Sequence, residues 1–294
     1  MPLMNYSDVS AYSGAINTYV GNGSMPPWPP DTTYTRFVDE HIITSTEKKL
    51  ILKWVSDGAL QGDSTLAPKA PTYSDYAYKL CPTPSLVLTI PTFTSNATPS
   101  TSNANPYDCF VLNTNLTKDT WLRAFEVAPG NTKIVHHIVV NIDTTGKSTS
   151  DLSGNCTVEG GQYNIGGWVP GCAPVVFPGK APLKAGIRIK AGSQIIMQIH
   201  YAPGSGGQID STKIRLYFYP DTATQIRPVL ASFWLQNWNM NIAANTTATY
   251  SATQTKALAN SAISIFSVAP HSHHVCTKLR IMPKTEPTPL LSFQ

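Results

Sequence analysis

The sequence predicts a mainly β protein: an antiparallel β-sandwich, then a partial second β-sandwich, with a small helical segment in front. Three observations carry this. Short apolar runs rich in Val, Ile, Phe and Tyr recur from Leu86 onward, and such residues fit a pleated, half-buried surface. Gly, Pro, Asn and Asp punctuate the runs, the pattern of many short strands joined by turns. Helical spacing is confined to the first 66 residues.

In chain order, Ser7-Asp8 caps a helix whose Val9, Tyr12, Ile16 and Tyr19 share one face. Thr44-Ser-Thr-Glu47 is a capping-box pattern for a second helix, with Leu50, Ile51, Trp54 and Val55 as its apolar face and Gly58 as its stop. Prolines forbid helix between the two, in Gly23-Ser-Met-Pro-Pro-Trp-Pro-Pro-Asp31. Residues 67–80 form a Pro-containing linker. A first β domain spans 81–222, with strands expected at Leu86–Ile90, Cys109–Leu112, Trp121–Val127, Ile134–Ile142, Gly186–Ile189, Gln194–Tyr201 and Lys213–Tyr219. Residues 92–105 are rich in Ser, Thr and Asn and read as a loop. A partial second sandwich over 223–294 is expected to use Val229–Leu235, Met240–Ile242, Thr247–Ser251 and Ala262–Val268.

Composition narrows the function classes. The 294 residues are 41% hydrophobic, enough for real cores. Only 13% are charged, against roughly 25% in ordinary globular chains. Asn, Thr, Ser and Pro cover the surface instead, which fits an exported β protein, periplasmic or extracellular. The net charge of +4 comes without a Lys/Arg run, so no nucleic-acid partner is expected. No apolar run is long enough to span a membrane. Met1 opens no signal peptide, and the second β set stops early, so both ends read as truncated. The five cysteines include no Cys-x-x-Cys, and their odd number leaves at least one unpaired in a monomer.

The chemistry sits in the histidines. Of seven, six fall in three places: His136-His137, His200, and His271-Ser-His273-His274. The pair lies inside the apolar run Lys133–Asp143. Successive strand side chains point to opposite faces, so a regular strand cannot aim both at one point. Taken alone, the pair reads as one core and one surface histidine; a metal held at a twist or bulge would also explain it. His271 and His273, two apart, share a face on any strand. Histidines gathered on three separate β segments favour the metal reading.

His-His in an apolar strand, then Gln198-Ile-His-Tyr201, then His-x-His resemble the copper type II, ascorbate-dependent monooxygenase family of dopamine β-monooxygenase and peptidylglycine α-hydroxylating monooxygenase. Trp121–Gly130, Gly166–Gly171 and Asp210–Phe218 also resemble family segments, so the likeness runs from about Leu80 to Met282. The resemblance implies jelly-roll-like sandwiches and two coppers. His136, His137 and His200 would hold the first. His271 and His273 would hold the second, which the family completes with a Met thioether. Met282 lies in the wrong segment for that role, and His274 faces the other way on a regular strand. One copper site is therefore complete in this sequence. The implied reaction hydroxylates a C–H bond of a small molecule with O2 and ascorbate or another electron donor, with no catalytic residue beyond the ligands. The resemblance also implies a Cys109–Cys156 disulfide.

Residues 1–66 resemble the second half of a c-type cytochrome domain, a candidate electron donor in some relatives. There Met25 would be an axial haem ligand. Cys-x-x-Cys-His is missing, so no haem is expected here. Two non-catalytic alternatives stand beside the monooxygenase: a copper-binding or electron-transfer module, and a glycan-binding sandwich. A three-His zinc hydrolase ranks lower, because no Glu sits beside the histidines as a base.

Overall fold

A computed structural model of the chain describes residues 3, 5–27, 30–34, 36–37, 40–69, 80, 83–98, 107–154, 156, 162–230, 235, 237, 239–253, 264–265, 267–268, 270, 276–282 and 291–293. The protein is mainly β, with antiparallel sheets and a few small helices. The chain divides into two compact units: Met1–Thr72 with Ala257–Gln294, and Tyr73–Lys256.

The first unit holds the helices. α1 (Tyr6–Ala11) starts one turn-residue earlier than the Ser7-Asp8 expectation, because Asn5 is the cap and its side chain accepts from the Asp8 N–H at 2.9 Å. The chain breaks at Tyr12 and continues as α2 (Ser13–Gly21) rather than as one helix. α3 (Ser45–Ser56) has the capping box foreseen between Thr44 and Glu47. Gly58, at φ 94°, turns the chain out of it.

The second unit is a sandwich. Its strands are β1 (Leu86–Thr89), β2 (Phe93–Thr94), β3 (Tyr107–Asn113), β4 (Thr120–Ala128), β5 (Val135–Asp143), β6 (Gln162–Trp168), β7 (Val175–Val176), β8 (Ala185–Ile189), β9 (Gln194–Tyr201), β10 (Ile209–Asp210), β11 (Lys213–Phe218) and β12 (Arg227–Pro228). One sheet runs β1-β11-β4-β8-β12 with β7 beside β4; the second runs β3-β9-β5-β6; β2 and β10 pair as a separate two-stranded sheet. The chain passes repeatedly between the sheets, as a jelly roll requires. Phe110, Val140, Ile142, Met197 and Ile199 from the second sheet meet Leu122, Phe125, Ile187, Ile214 and Leu216 from the first in one buried core.

Two expected strands are absent. Met240–Ile242 and Thr247–Ser251 are irregular, and Met240 and Ile242 stay 55% and 47% exposed. Apolar alternation without a neighbouring strand leaves the backbone donors no ladder to join. Two short strands, β13 (Leu279–Ile281) and β14 (Leu291–Phe293), pair antiparallel in the first unit.

Candidate metal centre

The core fixes which way every side chain of the second sheet points. Val140 pairs with Met197, and Met197 with Phe110, and this row faces inward. Alternation then sends the row His137, His200 and Tyr107 outward, on three adjacent strands. The pairing steps from Val135↔Tyr201 to His137↔His200. His136 is thus the extra residue of a β-bulge. The bulge answers the geometric objection to the pair. Val135 stays in the core, and both histidines come to the outer face.

The three rings form a triangle. Ring centroids are 5.2 Å apart for His136–His137, 5.2 Å for His136–His200 and 4.8 Å for His137–His200. Exposure grades across it: His200 is buried, His137 half-buried and His136 exposed. Among the described residues, the exposed side of the cluster is therefore the His136 side. His136 Nδ1 and His137 Nδ1 lie 3.0 Å apart and share a hydrogen bond. Two nitrogens each about 2 Å from one metal, at roughly a right angle, have nearly that separation. Burial first, then His200 and His136, push the His137 pKa down to about 4. A neutral imidazole is the form that ligates a metal.

Among the described residues no three His, Cys, Asp or Glu side chains stand as a finished metal cage. Three imidazoles with centroids 4.8–5.2 Å apart are nevertheless a donor set that suits copper or zinc.

Tyr107 was not singled out in the sequence. Its hydroxyl meets His137 Nε2 at 2.8 Å, and its ring lies 5.4 Å from His137 and 5.3 Å from His200. Burial raises its pKa, keeping the phenol neutral. Tyr107 and Cys109 are two apart and share a face of β3, but only the pairing of Tyr107 with His200 brings that face to the histidines.

The Cys109–Cys156 disulfide is formed, with a Cα–Cα distance of 5.3 Å. Cys172 and Cys276 are free thiols; Cys81 lies outside the described residues. So do His271, His273 and His274. Met282 is 49% exposed just after β13. Met25 follows α2, 43% exposed, in an open groove with Val20, His41 and Lys48. No protein-family model matches the chain, and no curated protein matches it significantly.

Proposed function

We propose that this chain is a copper-binding protein of the copper type II monooxygenase kind, built for hydroxylating a C–H bond of a small molecule with O2 and ascorbate or another donor. The observation that carries the reading is the bulge at His136, which places three imidazoles within 5.2 Å of one another on one face. A bulge at a functional site is a device for re-aiming a side chain. His136, His137 and His200 would hold the first copper, which stores and passes a single electron. His200 and His137 supply the buried, rigid side of the site, and His136 the side open to solvent. The second pair, His271 and His273, belongs to the same proposal. A disulfide, and the lack among the described residues of any helix long and apolar enough to cross a membrane, fit a periplasmic or extracellular setting.

The second reading is a non-catalytic copper-binding or electron-transfer module, for which the cluster of His136, His137 and His200 would suffice by itself. Copper titration with paramagnetic resonance tests the binding that both readings share. The chain should take up copper with nitrogen ligation, and His200→Ala should abolish tight binding at this site. Equal copper uptake by the wild type and His200→Ala would reject the site.

A further inference from the structure

We propose that the strap of residues 148–154 and Cys156 positions Tyr107, and through it His137, so that the Cys109–Cys156 disulfide helps set how tightly the histidine cluster holds its metal; this rests on the copper reading above. The inference starts from β3, the edge strand of the four-stranded sheet. An edge strand presents a row of unpaired N–H groups. Here the outward donors are taken by the strap. Tyr107 N–H donates to Gly154 O at 2.9 Å, Cys109 N–H to Asp151 O at 2.7 Å, and Val111 N–H to Ser150 Oγ at 2.9 Å. Asp151 N–H returns a bond to Cys109 O at 3.0 Å. The strap behaves as an irregular fifth strand, and the disulfide ties Cys109, the middle of the three β3 residues, to the strap just past Gly154.

Tyr107 is the first residue of β3, where a strand frays most readily. Its backbone is held by β9 on one side and by the strap on the other. Its hydroxyl is the partner of His137 Nε2. If His137 gives Nδ1 to a metal, Nε2 carries the ring proton and donates it to the Tyr107 oxygen. Such outer partners fix ring orientation and tautomer, and their loss costs roughly 10–100-fold in metal affinity. Tyr107 is therefore a positioning residue, and the strap is what keeps it in place.

The test compares Cu(I) affinity, by competition with a chromophoric chelator, for the wild-type chain, Tyr107→Phe, Cys109→Ser with Cys156→Ser, and all three substitutions together. His200→Ala serves as the ligand control. Each of the first two variants should bind about 10-fold more weakly. The combination should lose no more than the weaker of them, because both changes act on one contact. The Cu(II) resonance spectrum should shift in the same direction in both, which a loss of stability alone would not produce. Tyr107→Phe keeps the ring and the strand. Asp143→Ala, which frees the strap's other end with the disulfide intact, replaces the cysteine variant should that one not fold; it too should weaken binding. Wild-type affinity in Tyr107→Phe or in the strap variants, with His200→Ala deficient, overturns this inference and leaves the copper reading standing. Losses that add independently overturn the route through Tyr107. Failure of the wild type to bind copper removes both.

Discussion

Asp108 shows how a single residue carries a measurable signature. It is buried, and its Oδ1 has no hydrogen-bond partner among the described residues. Burial first, then the Asp151 carboxylate, raise its pKa to about 6. The folded state therefore binds more protons than the unfolded one between about pH 4 and 6. Stability drops as pH rises through that window, and the full cost is present above it. Asp108→Asn removes the cost, and the shift corresponds to an upper limit of about 3 kcal/mol. Urea denaturation should show the variant gaining on the wild type from pH 4 to 6, with a constant advantage above. Parallel stability curves across that range would disprove the assignment. Residue chemistry of this kind was partly legible beforehand. The histidine groups stood out by type and spacing, whereas the Cys109–Cys156 pairing came only from the family resemblance. Tyr107 did not, because its importance comes from the register that sets it opposite His200.

At the scale of elements, Asp143 ends β5 and begins the chain toward the strap. Its carboxylate accepts from the Thr145 N–H and hydroxyl at 2.7 Å each, from Lys147 N–H at 3.1 Å, and from Ser148 N–H and hydroxyl at 3.0 and 2.8 Å. Burial alone would raise its pKa, but the Thr145 and Ser148 bonds outweigh that and hold it far below the usual carboxylate range. The contribution is present above about pH 4, the unfolded value, and is lost as pH falls below it. Asp143→Ala should cost about 3 kcal/mol at neutral pH, and the wild type's advantage should shrink in acid. Equal midpoints for the two proteins at pH 7 would refute it. The long strands were readable from their apolar runs: β9 falls on its expected bounds, and β5 within one residue. β6 was hidden. Gly166-Gly167 looks like a turn, yet a Cβ at Gly167 would lie 2.2 Å from Ile138 O. Glycine is there because β6 presses on β5, a fact no local pattern contains. Gly167→Ala should accordingly loosen the strand carrying the histidine pair and destabilise the sandwich by about 1–3 kcal/mol. Thermal unfolding unchanged from wild type would show that β6 can yield there at no cost.

For the whole molecule, the sandwich class followed from composition and punctuation, whereas the strand order and the bulge depend on pairings between distant segments. The same contrast bears on turnover. The proposed first ligand set, His136, His137 and His200, lies in the unit Tyr73–Lys256, and His271 and His273 lie outside the described residues. After His273 the sequence offers one methionine, Met282, half exposed beside a short strand. Two imidazoles hold copper less firmly than three and orient it less well for oxygen chemistry. In the peptide-amidating branch of the family that this sequence resembles, an Arg two residues before His-x-His grips the substrate carboxylate. Ala269 holds that position here, without charge or paired donors, and Pro270 removes a backbone N–H. The purified chain is thus expected to bind about one equivalent of copper tightly and to show no ascorbate-driven oxygen uptake with glycine-extended peptides. Phenethylamines, offered in parallel, probe the other branch. Amidation of a glycine-extended peptide would sink the substrate argument. Two tightly held coppers with turnover would show instead that His274, Met282 or a partner chain completes the second site.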